Sequence, residues 1–495
     1  MADDLTAQIA DLLQDAADQA TSPEAAATLR ELRARLDGPL RVAIAGRVKA
    51  GKSTMLNALV SEELAPTDAG ECTQIVTWYV RGDQPRVVLH PHAGQPRNRP
   101  FRRSGGALEV DLGGVPAGDV ERLVVSWPTQ RLREITLIDT PGLASLSADI
   151  SARTLQALTP QDEQERVAEA DAVLYLLRHA HSSDVRFLEA FTEDALVDGA
   201  PVNAIGVISR ADEMGSSRLD ALDTAARIAE RYQQDPRLRR ICPMVLPVAG
   251  LLAYAAATLR EDEFRALAEI ASAPDDEVVG LLLTADRFAF GLTTTEVTEP
   301  ARAQLLARLG LFGVRLSVDL IRTGETKTAS ELAEELGRRS GLDQLRKVLV
   351  TQFAERARVL KARTALSSLE AVLASGGCQD PDRLRGRTEM ILAGAHAFAE
   401  VRLLDLLRSG ALDLPEERTA ELDRLLGGNG HDAGTRLGLQ SPTPEQLRQA
   451  AVESLESWQR LAEHPWSSRQ VQESARTARR TLEGILAGLA PDPVR

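Results

Sequence analysis

Residues 46–54, GRVKAGKST, hold two of the five lysines in a chain that has 53 arginines. The stretch fits GxxxxGKS, follows a β-like run (LRVAIA) and opens a helix-like one (STMLNALV). A loop of that spacing turns its backbone N–H groups inward to cradle phosphate oxygens, and the helix N-terminus behind it adds a favourable dipole. There Lys52 neutralises the outer phosphate oxygens and the Ser53 hydroxyl ligates Mg²⁺. Gly46, Arg47, Val48, Lys49, Ala50, Gly51 and Thr54 complete the phosphate-binding stretch. The plain alternative is a glycine-rich turn without a ligand.

Four later elements follow in a matching order. ITLIDTPG sets Asp139 at a strand end, where its carboxylate holds the Mg²⁺ shell through water, and Gly142 then offers an N–H to a γ-phosphate. Thr73 in GECTQIVT is expected to close over the metal; Thr77, the alternative, falls in the next apolar run and reads as strand. NAIGVISRADE ends at Ser209, Arg210 and Asp212, where GTPases usually have Asn or Thr, then Lys, then any residue, then Asp. The aspartate accepts from guanine N1–H and N2–H₂, and an arginine stem can pack on the base as a lysine stem does. LPVAG sets Val248, Ala249 and Gly250 after a strand, with the Ala249 N–H directed at guanine O6. Each element alone is weak, but five in sequence point to GTP or GDP with Mg²⁺ and to hydrolysis of GTP. The Ser-Arg pair departs from the usual pattern at the base.

These loops need a sheet to hold them. Short apolar runs (LRVAIAG, QIVTWYV, RVVLH, RLVVSW, EITLID, AVLYLL, NAIGVIS, MVLPV) alternate with helical segments, which predicts an α/β domain with a mostly parallel sheet and flanking helices. Residues 3–20 and 23–37 read as two helices, and 91–106 as a Pro/Gly/Arg loop at a hairpin tip. Residues 260–340 read as mixed and mostly helical. One long helix is expected from Leu342 to Ala374, roughly 50 Å at 1.5 Å per residue. Further helices are expected at about 383–410, 415–427, 444–463 and 468–489. The expected division is 1–38 as N-terminal helices joining a helical neck, 39–340 as the GTPase head, and 341–495 as an elongated all-helical neck and trunk bundle.

Composition narrows the partners. A net charge of −14 disfavours bulk adhesion to nucleic acid, and no nucleic-acid partner is expected. Three dispersed cysteines without a CxxC pair argue against a disulfide framework or zinc site and for a reducing cytosol. The uncharged run from Ile241 to Leu259 has the length of a membrane span. Pro243, Pro247 and Gly250 punctuate it, however, so it reads as strand, loop and buried helix.

The motifs GRVKAGKSTMLNALV, LAPTDAGECTQIVTWYVRG, DTPG, SRADE and PVAG, followed by a long helical part, resemble the bacterial branch of the dynamin superfamily. SRADEMG, PVAGLLAYAAATLR and ARLGLFGVRLSV are similar to the actinobacterial, isoniazid-inducible dynamin-like group. The resemblance covers nearly the whole chain, although only the head carries diagnostic motifs. It implies head-to-head dimerisation with itself or a paralogous dynamin-like protein, stimulated GTP hydrolysis, and membrane remodelling through the helical trunk. It also implies a cytoplasmic location, peripheral on the inner face of the cytoplasmic membrane.

The residue after DTPG is Leu143, which cannot orient water as the glutamine of small GTPases does. Dynamins carry Gln and Ser at the positions of Val48 and Lys49, and guanylate-binding proteins an arginine finger at the latter. Lys49 is therefore a candidate catalytic cation, acting in cis once dimerisation orders the loop. Such a charge is worth ~10³ to 10⁵ in rate. The alternative is a solvated lysine or a general phosphate contact.

Weaker signals remain. From Gln84 to Leu108 there are five arginines and no acid, which fits lipid headgroups, an acidic partner face, or simply a solvated tip. Loops 374–381 and 427–442 are candidate membrane tips, the first carrying Val372 and Leu373, though ordinary connections are the plainer reading of both. His396 reads as a packed histidine. The competing functions are a regulatory GTPase acting on ribosome or RNA, and a nucleotide-gated scaffold that uses hydrolysis as a timer.

Overall fold

The computed structural model describes every residue except 1, 47–48, 63, 66–74, 105–106, 141–169, 178–203, 236–237, 239–241, 243, 355, 409, 411, 413, 429, 431, 465–467 and 490–495. Eleven strands are described: β1 (Leu40–Gly46), β2 (Val76–Arg81), β3 (Arg86–Pro91), β4 (Arg97–Arg99), β5 (Phe101–Ser104), β6 (Ala107–Val110), β7 (Val120–Trp127), β8 (Ile135–Asp139), β9 (Ala172–Leu177), β10 (Ala204–Ser209) and β11 (Met244–Val248). Nine form one sheet in the order β11-β10-β9-β1-β8-β2-β7-β3-β4, and β5 and β6 pair separately. The β1–β8, β1–β9, β9–β10, β10–β11 and β2–β7 pairs are parallel, so the sheet is mostly parallel as the alternation predicts.

Alternation along each strand divides the core between the two faces of the sheet. Ala43 and Ala45 of β1, with Val173 and Tyr175 of β9, face one core, while Val42 and Ile44, with Leu174 and Leu176, face the other. Both faces of β9 and β10 are covered, and every residue of these two strands is buried.

The helices of the head are α3 (Lys52–Val60), α4 (Ala221–Gln234), α5 (Gly250–Ala257), α6 (Glu261–Ser272), α7 (Asp275–Leu281), α8 (Ala285–Phe290), α9 (Glu299–Arg322) and α10 (Ala329–Arg339). The N-terminal pair is α1 (Ala2–Asp18) and α2 (Pro23–Arg35), the latter capped by the Ser22 side chain, which accepts from the Ala25 N–H. After the head come α11 (Leu342–Val348), α12 (Ala357–Ala374), α13 (Pro381–Gly394), α14 (His396–Arg408), α15 (Glu416–Leu425), α16 (Ala433–Leu437), α17 (Pro444–Glu463) and α18 (Arg469–Gly488). Helices α1, α2, α12 and α13 share one apolar core, and α14, α15, α17 and α18 a second. Among the described residues no helix is long and apolar enough to cross a membrane.

The expected continuous helix from Leu342 to Ala374 is broken. A π-helical turn, Leu349–Ala354, follows α11, and Arg356 (φ −97°, ψ 4°) leaves the helical basin before α12 begins. Two partners pull the segment in different directions. Leu342, Leu345, Leu349 and Phe353 pack into the head core, whereas Leu366 and Leu369 pack into the separate core shared with α1, α2 and α13. The buried Arg356 guanidinium donates to Leu426 O (3.1 Å) and Gly427 O (2.8 Å).

Three other expectations are also revised. Residues 91–106 are not a bare loop: β4 pairs with β3, and β5 begins the β5–β6 hairpin. The helix expected at 383–410 is split at Ala395, whose ψ is 110°. Loop 374–381 does not present Val372 and Leu373 outward. Both are buried against α1 and α2, and the loop is sealed by Thr21 N–H to Gly377 O (2.9 Å). His396 packs as expected, with Nε2 2.9 Å from Thr481 Oγ1.

Candidate nucleotide site

The described loops of the site gather at the C-terminal ends of parallel strands, where ligands of open α/β sheets bind. β1 ends at Gly46 (φ 147°), where an added Cβ would stand 2.8 Å from Leu176 O of β9. Only glycine allows that approach. Lys49 adopts the left-handed conformation (φ 63°) and is exposed, and Ala50 is buried. Gly51, also left-handed, precedes α3, which starts at Lys52 and carries the half-buried Ser53 and Thr54 in its first turn. The Lys52 ammonium folds back to donate to Gly46 O (3.3 Å). Arg47 and Val48 lie outside the described residues.

Asp139 is the last residue of β8, in register with Ile44 of β1 and opposite Thr77 of β2. Thr77 is thus a strand residue, as expected. The next residue, Thr140, anchors the turn by donating from Oγ1 to Ile44 O (2.9 Å). The Oδ1 of Asp139 is buried and has no hydrogen-bond partner among the described residues. Burial raises its pKa to about 6, against the pull of the Lys52 charge. Burial likewise lowers the pKa of Lys52, and Asp139 opposes that shift. An orphaned carboxylate oxygen here fits a water-held Mg²⁺. No group of three or more His, Cys, Asp or Glu placed to hold a metal ion occurs among the described residues. Thr73, Gly142 and Leu143 lie outside the described residues.

On the base side, β10 ends at Ser209, in register with Val248 of β11, so the two loops emerge together. Arg210 is left-handed (φ 54°) and pairs with Glu213 (2.7 Å). Its Cγ lies 4.0 Å from a Cβ built on Gly51, so its stem reaches over the phosphate loop. Asp212 is buried, which raises its pKa to about 6. Gly250 opens α5 against Met55 and Thr54 of α3, a Cβ there lying 3.7 Å from each side chain.

One expectation needs correction at this point. The Ala249 N–H donates to Ser340 O (2.9 Å), and Ala249 is fully buried. Its amide is therefore occupied in this geometry.

Two contributors were not foreseen. Gly310 (φ 68°, ψ 169°) kinks α9 beside Asp212, whose Oδ2 lies 3.8 Å from a Cβ built there. Gly341 lets the 340–341 turn seat on β11, since a Cβ would stand 2.4 Å from Pro247 O. A glycine inside an otherwise helical run was the available signal for the first.

The arrangement defines a P-loop nucleotide hydrolase, and relatives identify its kind. A family model described as a 50S ribosome-binding GTPase matches residues 41–203. The isoniazid-induced protein IniC of Mycobacterium tuberculosis is 41% identical over 461 residues, covering 93% of this chain and 92% of its own. A bacterial dynamin-like protein of Nostoc punctiforme is 26% identical over 218 residues, 41% of this chain and 29% of its own. A solved structure from an oligomerised bacterial dynamin pair aligns over 98% of this chain and 79% of that one, at 13% identity and a TM-score of only 0.30.

The chain belongs to the isoniazid-induced family of dynamin-like GTPases. It is a guanine-nucleotide-binding GTP phosphohydrolase with a helical region following its head.

Proposed function

We propose that this GTPase associates with a second copy or a paralogous dynamin-like chain through its head, is stimulated by that contact, and acts on membrane lipid as a peripheral protein of the inner cytoplasmic face. Membership of a dynamin-like family, together with two helical cores stacked beyond the head, supports this reading. The division into 1–38, 39–340 and 341–495 is kept within it, with α11 as the segment shared by head and neck.

The buried Oδ1 of Asp139, without a hydrogen-bond partner among the described residues and beside the Lys52 charge, is the observation that carries the hydrolytic assignment. In this reading the backbone N–H groups of Gly46 to Thr54 cradle the phosphates and Lys52 balances their charge. The Ser53 hydroxyl, Thr73 and Asp139, the last through water, would hold Mg²⁺. When bound, that ion would supply charge neutralisation at the phosphates. Gly142 offers its amide to the γ-phosphate. Asp212 reads the guanine edge, the Arg210 stem covers the base, and Ser209, Val248, Ala249 and Gly250 line the pocket.

Lys49 stands exposed in a left-handed turn, a conformation costly for a residue with a Cβ. That cost is consistent with a loop held for function, and Lys49 supplies the charge-compensating cation of this reading.

The test is GTP turnover per molecule over a protein concentration series, with and without anionic liposomes. Turnover rising with both supports the reading; flat turnover indifferent to lipid sinks the dimerising, membrane-acting part. The name of the head's family model favours a second reading, a ribosome-directed GTPase, for which stimulation by 50S particles and not by lipid is the signature.

A further inference from the structure

Two surfaces of the head have opposite character, and the nucleotide site uses neither. The first is the pair of short helices α7 and α8 with the irregular segment after them. Val279 is 63% exposed, Leu283 52%, Phe290 66% and Leu292 99%. Exposed apolar side chains gathered on one unit and rimmed by charge mark an interaction site. The unit is firmly held. The Arg315 guanidinium donates to Leu282 O (2.8 Å) and Leu283 O (2.9 Å) between the two helices, and to Ser217 O (2.6 Å) at the end of the base loop. Glu277 accepts from Thr293 Oγ1 (2.6 Å) and Thr294 N–H (2.6 Å), which ties the segment carrying Leu292 back onto α7.

Charge decides what can cover this surface. Residues 261–299 contain ten carboxylates against two arginines; Glu263 is buried against Arg308 and Asp275 pairs with Arg322, and the remaining excess keeps the surface acidic. Asp275, Asp276 and Asp286 flank the apolar residues and are exposed. Anionic lipid and nucleic acid are repelled by such a rim, so the occupant is basic with an apolar component.

This chain carries such a surface. Residues 84–108 hold five arginines and no acid. They build β3 to β5, and β4 is the edge strand of the sheet. Arg97 and Arg102 are exposed there. The Arg103 guanidinium stacks on Trp127 (4.8 Å), which meets Phe101 edge-on (6.4 Å). Arginine with an aromatic base is the composition enriched in interface cores. Some of the charge is balanced locally: Arg103 pairs with Glu62 (2.9 Å), and Arg102 stands opposite Glu109 in the hairpin register.

The two surfaces lie at opposite ends of the sheet. β4 is one edge, while Arg315 fastens the acidic helix pair beside the loop after β10, next to the other edge strand β11. Eight strand spacings of about 4.8 Å separate the edges by roughly 38 Å. One copy cannot bring them together. We infer that the acidic, apolar α7–α8 surface of one copy docks on the basic β4–β5 edge of a second copy. The contact is heterologous, joins heads head-to-tail, and leaves one free surface of each kind at the ends of every assembly.

The inference does not depend on the nucleotide-driven head dimer proposed above, so its test uses the full chain without nucleotide or lipid. Sedimentation velocity is measured from about 1 to 100 µM at low salt, with a high-salt repeat. Wild type is expected to grow past a dimer with concentration and to dissociate in high salt. The double variants F290D/L292D and R97E/R102E each weaken association on the order of 100-fold and sediment as monomers. Mixed in equal amounts, they form a one-to-one dimer and nothing larger, because each retains one intact surface. These exposed positions leave GDP affinity and the unfolding temperature at wild-type values, which separates lost docking from misfolding. A wild type monomeric throughout, an assembly stopping at a dimer, an arginine variant that still associates, or a mixture that stays monomeric overturns the proposal. So does binding of monomers to anionic vesicles through Arg97 and Arg102, which assigns the basic edge to lipid.

Discussion

Replacing Gly310 with alanine probes the link between α9 and the base-reading loop. At φ 68° and ψ 169° this residue occupies a region that is essentially open to glycine alone. An added methyl meets only ordinary contacts, 3.4 Å to Leu251 Cδ2 and 3.8 Å to Asp212 Oδ2, so backbone strain and not crowding sets the cost. The helix cannot straighten to relieve it, because Leu309, Phe312 and Val314 around the kink are buried in the head core. The expected loss is about 1–3 kcal/mol. At roughly 1.5–2 °C per kcal/mol for a domain of some 300 residues, that lowers the unfolding temperature of the head by a few degrees. Strain held at the kink bears on the adjacent Asp212 carboxylate, and each 1.4 kcal/mol lost there weakens GDP binding about tenfold. Gly324→Ala is the control. Gly324 is also left-handed (φ 75°), but nothing lies within 4 Å of its added Cβ, so it carries strain without touching the site. Thermal unfolding and GDP titration of both variants give the answer. An unfolding temperature unchanged in Gly310→Ala, or GDP affinity falling equally in both, would refute the coupling.

Asp139→Asn is expected to stabilise the fold while abolishing turnover. The native pKa of about 6 lies above the ordinary 3.8, so the folded state holds the proton more tightly and stability falls as pH rises through that window. Removing the charge therefore adds up to about 3 kcal/mol above pH 6 and nothing below pH ~4; melting at pH 8 no higher than wild type would contradict this. Lys49→Ala should abolish lipid- or concentration-stimulated turnover, a loss of ~10³ or more, with GDP affinity intact; full stimulated turnover removes Lys49 from catalysis. Arg356→Met leaves the Leu426 and Gly427 carbonyls without their buried donor and costs roughly 2–4 kcal/mol. Chemical denaturation should show that loss in the helical region, and the idea fails if the midpoint does not move.

Much of the head is readable from local pattern. Short continuous apolar runs mark the strands that end at Gly46, Asp139, Ser209 and Val248, and the GxxxxGKS spacing itself dictates a loop whose amides converge. Breaks such as Ser22-Pro23 and Thr443-Pro444 mark helix starts because a cap and a preset φ act within one turn. Each of these signals acts over a few residues, so the chain carries it wherever it folds.

Tertiary structure alone decided the rest. That the Ala249 amide is taken by Ser340, some 90 residues onward, cannot be read from LPVAG. The same holds for Gly310 meeting Asp212, for the helix after Leu342 breaking at Arg356, and for Val372 and Leu373 turning inward. In each case the local pattern permits two outcomes of similar energy, a straight or broken helix, a free or bonded amide, an exposed or covered apolar pair. Packing against residues distant in sequence, worth a few kcal/mol through burial and hydrogen bonding, chooses between them.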